Sequence, residues 1–300
     1  MDYTDVNKWH ENVNLLDEQE RVLGGLNGPT NRPTKQLSDR TAWLKYQQRT
    51  VINTDLVLQV SPLGNDSTGD YTGKPFRQPQ SALNYAISKL DFQYPAILTL
   101  QLAVGSYSRL DIRCVPQGVL MLKILGENSD TTLVSYVVSH APCEVELSNI
   151  GINNISPTLN NAMIIAYTGA TIILTGNVSF FPQKDCSPVI AHNCGHVYVQ
   201  NCNFVLRPGA TYYAIFTASG GGNVRVGSSS IMVDVGITVS NALVYSTLAG
   251  IFIAENMLMS NVVTGKRYTA DSGGGIFSNS TADTWPCSQP GTKDGTAIVI

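Results

Sequence analysis

A short apolar triplet returns through the second half of this chain at a nearly fixed interval, and few folds can accept such a repeat. Val145-Glu146-Leu147 is followed by Ile172-Ile173-Leu174, Val197-Tyr198-Val199, Val224-Arg225-Val226 and Ile251-Phe252-Ile253, at steps of 27, 25, 27 and 27 residues. The outer two residues are always aliphatic and the middle one varies, which is the period-2 pattern of a strand with one buried face. Turn-forming residues follow each triplet: Ser148-Asn149, Thr175-Gly176-Asn177, Gln200-Asn201, Gly227-Ser228 and Ala254-Glu255-Asn256. Upstream, Leu98/Leu100/Leu102 and Leu120/Leu122/Ile124 continue the rhythm. Stacking such units pairs each strand in parallel with its counterpart one period on and threads an aliphatic core along the axis. A leucine-rich horseshoe would need a leucine ladder, and a propeller about 40 residues per blade. The expected fold is therefore all-β, a right-handed single-stranded parallel β-helix of roughly eight rungs over residues 96–265.

Charge divides the chain. Residues 1–55 carry 15 charged side chains, eight acidic and seven basic, whereas the longer stretch 140–263 carries 8. The expected organisation is a separate N-terminal module at 1–55, a connector and N-terminal cap at 56–95, the β-helix at 96–265, and an extended Gly/Ser-rich tail at 266–300. In the first module Ser38 offers an N-cap, with Leu37, Thr41, Leu44 and Gln48 following at helical spacing. In the second, Ala82, Leu83, Ala86, Ile87 and Leu90 predict a helix that covers the open sheet edge at the start of the coil. A net charge of −3 with no clustered basic face argues against nucleic acid. The polar start Met1-Asp2-Tyr3-Thr4-Asp5 lacks the apolar segment of a secretory signal, and no apolar run is long enough to insert in a membrane.

The order of several short motifs resembles bacteriophage tail spikes and tail fibres with a pectin-lyase-like β-helix shaft. Gly64-Asn65-Asp66, Pro75-Phe76, the Ala82–Ile87 helix, Leu98-x-Leu100 and Val104-Gly105-Ser106-Tyr107 are similar to the opening segment of tail-spike β-helices. Ser106 stands where that segment usually has Thr, and Gln78-Pro79 where a helix-capping Thr is common. Val22–Gly25 with Leu37–Lys45 resembles virion-proximal fibre segments, and Pro290-Gly291-Thr292 with Gly295-Thr296 resembles fibre C-termini. The resemblance implies a homotrimer in the phage tail, made in the host cytoplasm. Residues 1–55 would bind a baseplate or tail protein through Leu23, Leu37, Trp43 and Leu44. The shaft would meet host surface polysaccharide or a further fibre subunit.

Stacking the repeats is expected to place Ile173, Tyr198, Arg225 and Phe252 in one outward column. Large apolar side chains there fit a trimer seam or a glycan-contact platform. The expected role is non-catalytic. The alternative, a depolymerase acting on capsule or lipopolysaccharide, needs two carboxylates ~5–9.5 Å apart. Glu144 and Glu146, projecting together from one strand, are the candidates for that pair. Cys186, His192, Cys194, His196 and Cys202 lack the paired spacing of zinc motifs, so neither metal nor cofactor is expected. Asn149, Asn177 and Asn201 at corners predict an asparagine ladder from turn to turn.

Overall fold

The computed structural model of the chain describes residues 32–153, 162–182, 184–279 and 282–300. They fall into two compact units, residues up to 51 with 89–91, and residues 52–88 with 92–300. In the smaller unit, helix α1 spans Arg32–Gln47. Ser38 is therefore inside the helix instead of capping it, because Pro33 already supplies a first turn that needs no N–H. Thr41 donates its hydroxyl to the Leu37 carbonyl at 2.9 Å.

The larger unit is a parallel β-solenoid of about seven turns. One sheet runs through Leu56–Val60, Ala96–Leu102, Val119–Gly126, Glu144–Ile152, Thr171–Phe180, His196–Leu206, Asn223–Gly227, Ile251–Glu255, Gly275–Ser278 and Ile298–Val299. The second runs through Leu110–Ile112, Val137–Ser139, Ala162–Tyr167, Lys184–His192, Thr211–Ser219, Thr238–Thr247, Val263–Ala270 and Cys287–Gln289. Every one of these neighbours pairs in parallel, one turn apart. Val145 aligns with Ile172, Ile172 with Val197, and Val197 with Val224, all four with no exposed surface.

The next member of that file is Phe252, not Ile251. Val224 pairs with Phe252, and Ile251 pairs with Asn223. The turn that ends there is longer by a single residue than the turn before it, which runs from Val197 to Val224. Since a one-residue slip exchanges the two faces of a strand, Phe252 is fully buried and Ile251 is 37% exposed. The Ile-Phe-Ile triplet imitates the repeat, but the core takes the ring. Phe252 packs 5.6 Å from Phe216 and edge-on to Trp285 at 5.7 Å. Phe216 continues the column to Phe204 and Phe180 at 5.2 and 4.4 Å. Each such ring contributes ~1.5–3 kcal/mol by burial.

Two expected boundaries also move. Leu56–Val60, expected in the connector, is already a strand of the coil, with Leu58 opposite Leu100 and Val60 opposite Leu102. Residues 266–300, expected as an extended tail, continue the main sheet: Ile276 lies on Phe252, and Val299 on Ile276. These last turns are shorter than the ones before them, which hides the segment from the period of the triplets.

Helix α2 spans Pro79–Lys89 and buries Ala82, Leu83 and Ala86. It stands where the first turn would otherwise place a strand of the second sheet. Gln80 Oε1 accepts from the backbone N–H of Asp111 at 2.8 Å. Gln78 Oε1 accepts from the N–H and hydroxyl of Ser108 at 3.0 and 2.8 Å. Side-chain amides thus occupy donors on a sheet edge. Asp66 Oδ1 accepts from the N–H groups of Arg77 and Gln78 at 2.8 and 3.0 Å, fixing the approach to the helix.

Candidate functional site

The strand Leu110–Ile112 opens the second sheet and sends both leucine and isoleucine into the core. Alternation then directs Arg109, Asp111 and Arg113 outward on one face. Parallel pairing stacks further turns on this strand: Asp111 aligns with Val138 and Val138 with Ile165. The outward residues of three turns, ~4.8 Å apart, are therefore Arg109, Asp111 and Arg113, then Tyr136, Val138 and His140, then Ile165 and Tyr167. They line two adjoining hollows. A groove of about 580 Å³ lies between this strand and α2 residues Gln80, Leu83, Asn84 and Ile87. A hollow of about 190 Å³ lies against Tyr136, His140 and Tyr167. Arg109, Asp111 and Arg113 border both.

The polar groups are held in place by one another. Arg113 Nε donates to Asp111 Oδ2 at 3.0 Å, and Arg109 Nη1 donates to the Tyr136 hydroxyl at 3.1 Å. That hydroxyl holds the Arg109 guanidinium in its charged form. His140 Nε2 stands 4.0 Å from Asp111 Oδ1, an oxygen that is buried and has no hydrogen-bond partner. The His140 ring lies parallel to Tyr167, with centroids 4.7 Å apart and planes 3° apart. Tyr167 meets His192 edge-on at 5.6 Å, and His192 Nδ1 hydrogen-bonds the Ser219 hydroxyl at 2.7 Å. Two guanidiniums, an imidazole and two phenols around a single carboxylate form a surface suited to an anionic, partly apolar ligand.

Apart from His192, weighed above as a zinc ligand, sequence reasoning does not pick out these residues as a site, although the signal is there. Arg113, His140, Tyr167, His192 and Ser219 succeed one another at 27, 27, 25 and 27 residues, the same rhythm as the core triplets.

The residues expected to matter lie elsewhere. Ile173, Tyr198 and Arg225 do align, Ile173 with Tyr198 and Tyr198 with Arg225. Ile253 completes that outward column in place of Phe252. Arg225 is paired to Glu255, its Nη2 reaching both carboxylate oxygens at 2.7 and 2.9 Å. Glu146 accepts from Thr175 at 2.9 Å and pairs with Lys123 at 3.0 Å, while Glu144 is exposed two residues away. Arg207 pairs with Asp130 and lies 3.9 Å from Asp234. In α1, Leu37 and Leu44 are 52% and 55% exposed and Trp43 is half-buried; Leu23 lies outside the described residues.

Cys186 and Cys202 point into the core, where burial pushes both thiols up to about 12. Among the described residues no group of His, Cys, Asp and Glu is arranged to hold a metal, and no helix is long and apolar enough to cross a membrane. The asparagine ladder runs through Asn149, Asn177 and Asn203: Asn149 Oδ1 accepts from the Asn177 N–H at 3.2 Å, and Asn177 Oδ1 from Asn203 Nδ2 at 2.9 Å. Asn201 instead sits at the corner with a φ of 48°. No protein-family model, curated protein or solved structure matches the chain.

Proposed function

We propose that this chain is a structural subunit of a bacteriophage tail spike or tail fibre. Three copies form the shaft, residues 1–55 anchor it to a baseplate or tail protein, and its surface meets host polysaccharide or a further fibre subunit. One observation carries this reading. The segment that resembles the start of tail-spike shafts forms the helix-capped first turn of a parallel solenoid, and its residues do structural work there. Asp66 holds the approach to α2. At Gly64 a Cβ would come within 2.3 Å of the Phe76 carbonyl. The Tyr107 hydroxyl donates to the Ala103 carbonyl at 2.7 Å. A non-catalytic role is favoured because Glu146, Asp130, Asp234 and Glu255 are engaged with basic side chains.

Light scattering tests the assembly: three times the chain mass of 32.4 kDa is expected, and a monomeric mass would refute the trimer. The second reading is a depolymerase of capsule or lipopolysaccharide. It is favoured by the buried Asp111 Oδ1, which has no hydrogen-bond partner and lies 4.0 Å from His140 Nε2, a carboxylate and an imidazole being the groups that general acid–base catalysis uses. New reducing ends or unsaturated products from host polysaccharide, lost in Asp111→Asn or in Glu144→Gln and Glu146→Gln, would establish that reading over the first.

A further inference from the structure

We infer that the Arg109–Arg113 groove is a binding site for an acidic saccharide, with sugar carboxylates held by Arg109 and by Arg113 and sugar rings lying against Tyr136, His140 and Tyr167. The inference takes from the proposed function only that the shaft meets glycans; the groove itself is read from its own residues.

Four observations converge on that ligand class. First, Arg109 and Arg113 flank the groove from the two ends of the strand Leu110–Ile112, four residues and ~13 Å apart. Arg109 gives one donor to Tyr136 and Arg113 one to Asp111, which leaves most of the five donors of each guanidinium facing outward. Such a fork matches a carboxylate bidentately. Second, the floor is half apolar: Val138 and Ile165 lie between the polar groups. A bare inorganic anion has no use for that floor, whereas the C–H faces of a pyranose ring do. Third, Tyr136 and His140 stand on one turn and Tyr167 on the next, stacked on His140, so contacts repeat along the coil at the ~4.8 Å strand spacing, a spacing comparable to the size of one sugar ring. A polymer can run across the turns with each ring meeting a new side chain. Fourth, the buried Asp111 Oδ1 has no donor, and a sugar hydroxyl is the neutral donor that suits it. A carboxylate placed against Asp111 would be repelled whatever its source, so the ligand that fits sets a hydroxyl on Asp111 and its carboxylate on an arginine, two groups that a sugar acid carries on one ring.

The test is calorimetric titration of the full chain with oligogalacturonate, a neutral galactan oligosaccharide of the same length, and inorganic phosphate. Saturable binding of oligogalacturonate is expected, at least tenfold tighter than the neutral oligosaccharide. A tenfold or greater loss is expected in both Arg109→Gln and Arg113→Gln. Tyr136→Phe, which keeps the ring but frees Arg109, is expected to lose a few-fold. Lys293→Gln, an exposed cation on a strand at the far end of the chain, serves as the charge control and is expected to bind like wild type. Arg113 is 80% exposed, so the thermal melt of Arg113→Gln should coincide with wild type.

Four results would overturn the inference. They are equal affinity for the neutral oligosaccharide, an equal loss in Lys293→Gln, phosphate binding as tightly as the sugar acid, and no binding of oligogalacturonate, hyaluronan oligosaccharide or oligosialate alike. The proposed function fails on a different measurement. A chain that scatters as a monomer yet binds oligogalacturonate through Arg109 and Arg113 would keep the groove and lose the spike.

Discussion

Each central turn of the solenoid bends sharply at two corners, and the two make the bend in different ways. Behind each core triplet of the first sheet, one residue per turn takes a left-handed backbone: Asn149, Gly176, Asn201, Ser228 and Asn256, with φ between 48° and 60°. Before the next strand of that sheet, two consecutive residues do so: Thr168-Gly169, Asn193-Cys194, Gly220-Gly221, Leu248-Ala249 and Ser272-Gly273. These pairs form the centres of tight turns closed by backbone bonds of 2.8–3.0 Å, from Ala170, Gly195, Gly222, Gly250 and Gly274 back three residues. Left-handed backbone favours Gly and Asn, yet Leu, Ala, Cys, Ser and Thr all occupy it here. The glycines that close four of these five turns are another matter. A Cβ on Gly195, Gly222, Gly250 or Gly274 would lie 2.1–2.3 Å from a carbonyl oxygen of the turn below. Conformational preference costs ~1–2 kcal/mol per residue and can be overruled; an atom placed inside another cannot.

That contrast is open to direct test. The largest effect is expected from Gly222→Ala, which forces a methyl against the Ala191 carbonyl and should cost ~3 kcal/mol, read as a lowered denaturant midpoint. Its neighbour Gly221, with φ of 75° but only the Cys194 sulfur within 4 Å at 3.3 Å, should lose ~1 kcal/mol as Gly221→Ala. Equal losses at the two positions would break the distinction between close approach and backbone conformation. Leu248→Gly should stabilise by up to ~1 kcal/mol, since Leu248 holds a φ of 51° with its side chain 59% exposed; a destabilised variant would show that this side chain does something the exposed corner does not reveal.

At the single-residue corner the side chains, not the glycines, carry the stacking. Asn177→Ala removes the side-chain bonds to the turns on both sides, Asn177 Nδ2 to Asn149 Oδ1 at 3.5 Å and Asn203 Nδ2 to Asn177 Oδ1 at 2.9 Å, leaves the Asn177 N–H on Asn149, and is expected to cost ~0.5–1.5 kcal/mol. Unchanged stability would reduce the ladder to a geometric coincidence. The smallest effect concerns the last two-residue corner. The Asp294 carboxylate accepts from the Ser272 N–H at 2.8 Å, and that bond, followed by the Thr296 hydroxyl, holds its pKa below the ordinary aspartate value. A lowered folded pKa means that the carboxylate stabilises the corner above the unfolded value and that the contribution fades as pH falls through the folded one. Acid melts of wild type should therefore lose this increment below about pH 4, while Asp294→Asn should lack it at every pH.

Much of the coil is legible in the sequence, because the triplets from Val145 to Val226 keep both alternation and period. Legibility fails wherever turn length changes. Ile251-Phe252-Ile253 satisfies the triplet pattern in either register, and only the lengthened turn and the place beside Phe216 and Trp285 choose Phe252 for the core. Residues 266–300 escape the pattern because the turns from Phe252 to Ile276 and from Ile276 to Val299 contract. The groove is half legible: Arg109, Asp111 and Arg113 alternate around two aliphatic residues within one strand, while Tyr136, His140 and Tyr167 join them only once successive turns are stacked.

The amino-acid sequence by itself determined that the chain coils in parallel turns, because an aliphatic pair recurring at one interval can be buried only by stacking. Tertiary structure decided which residue of an ambiguous triplet faces inward, which glycines are indispensable, and which polar residues of distant turns meet. The physical reason is that alternation fixes a strand's two faces only up to a shift of one residue. That shift is set by how many residues a corner consumes and by the space left in the core by side chains one turn away.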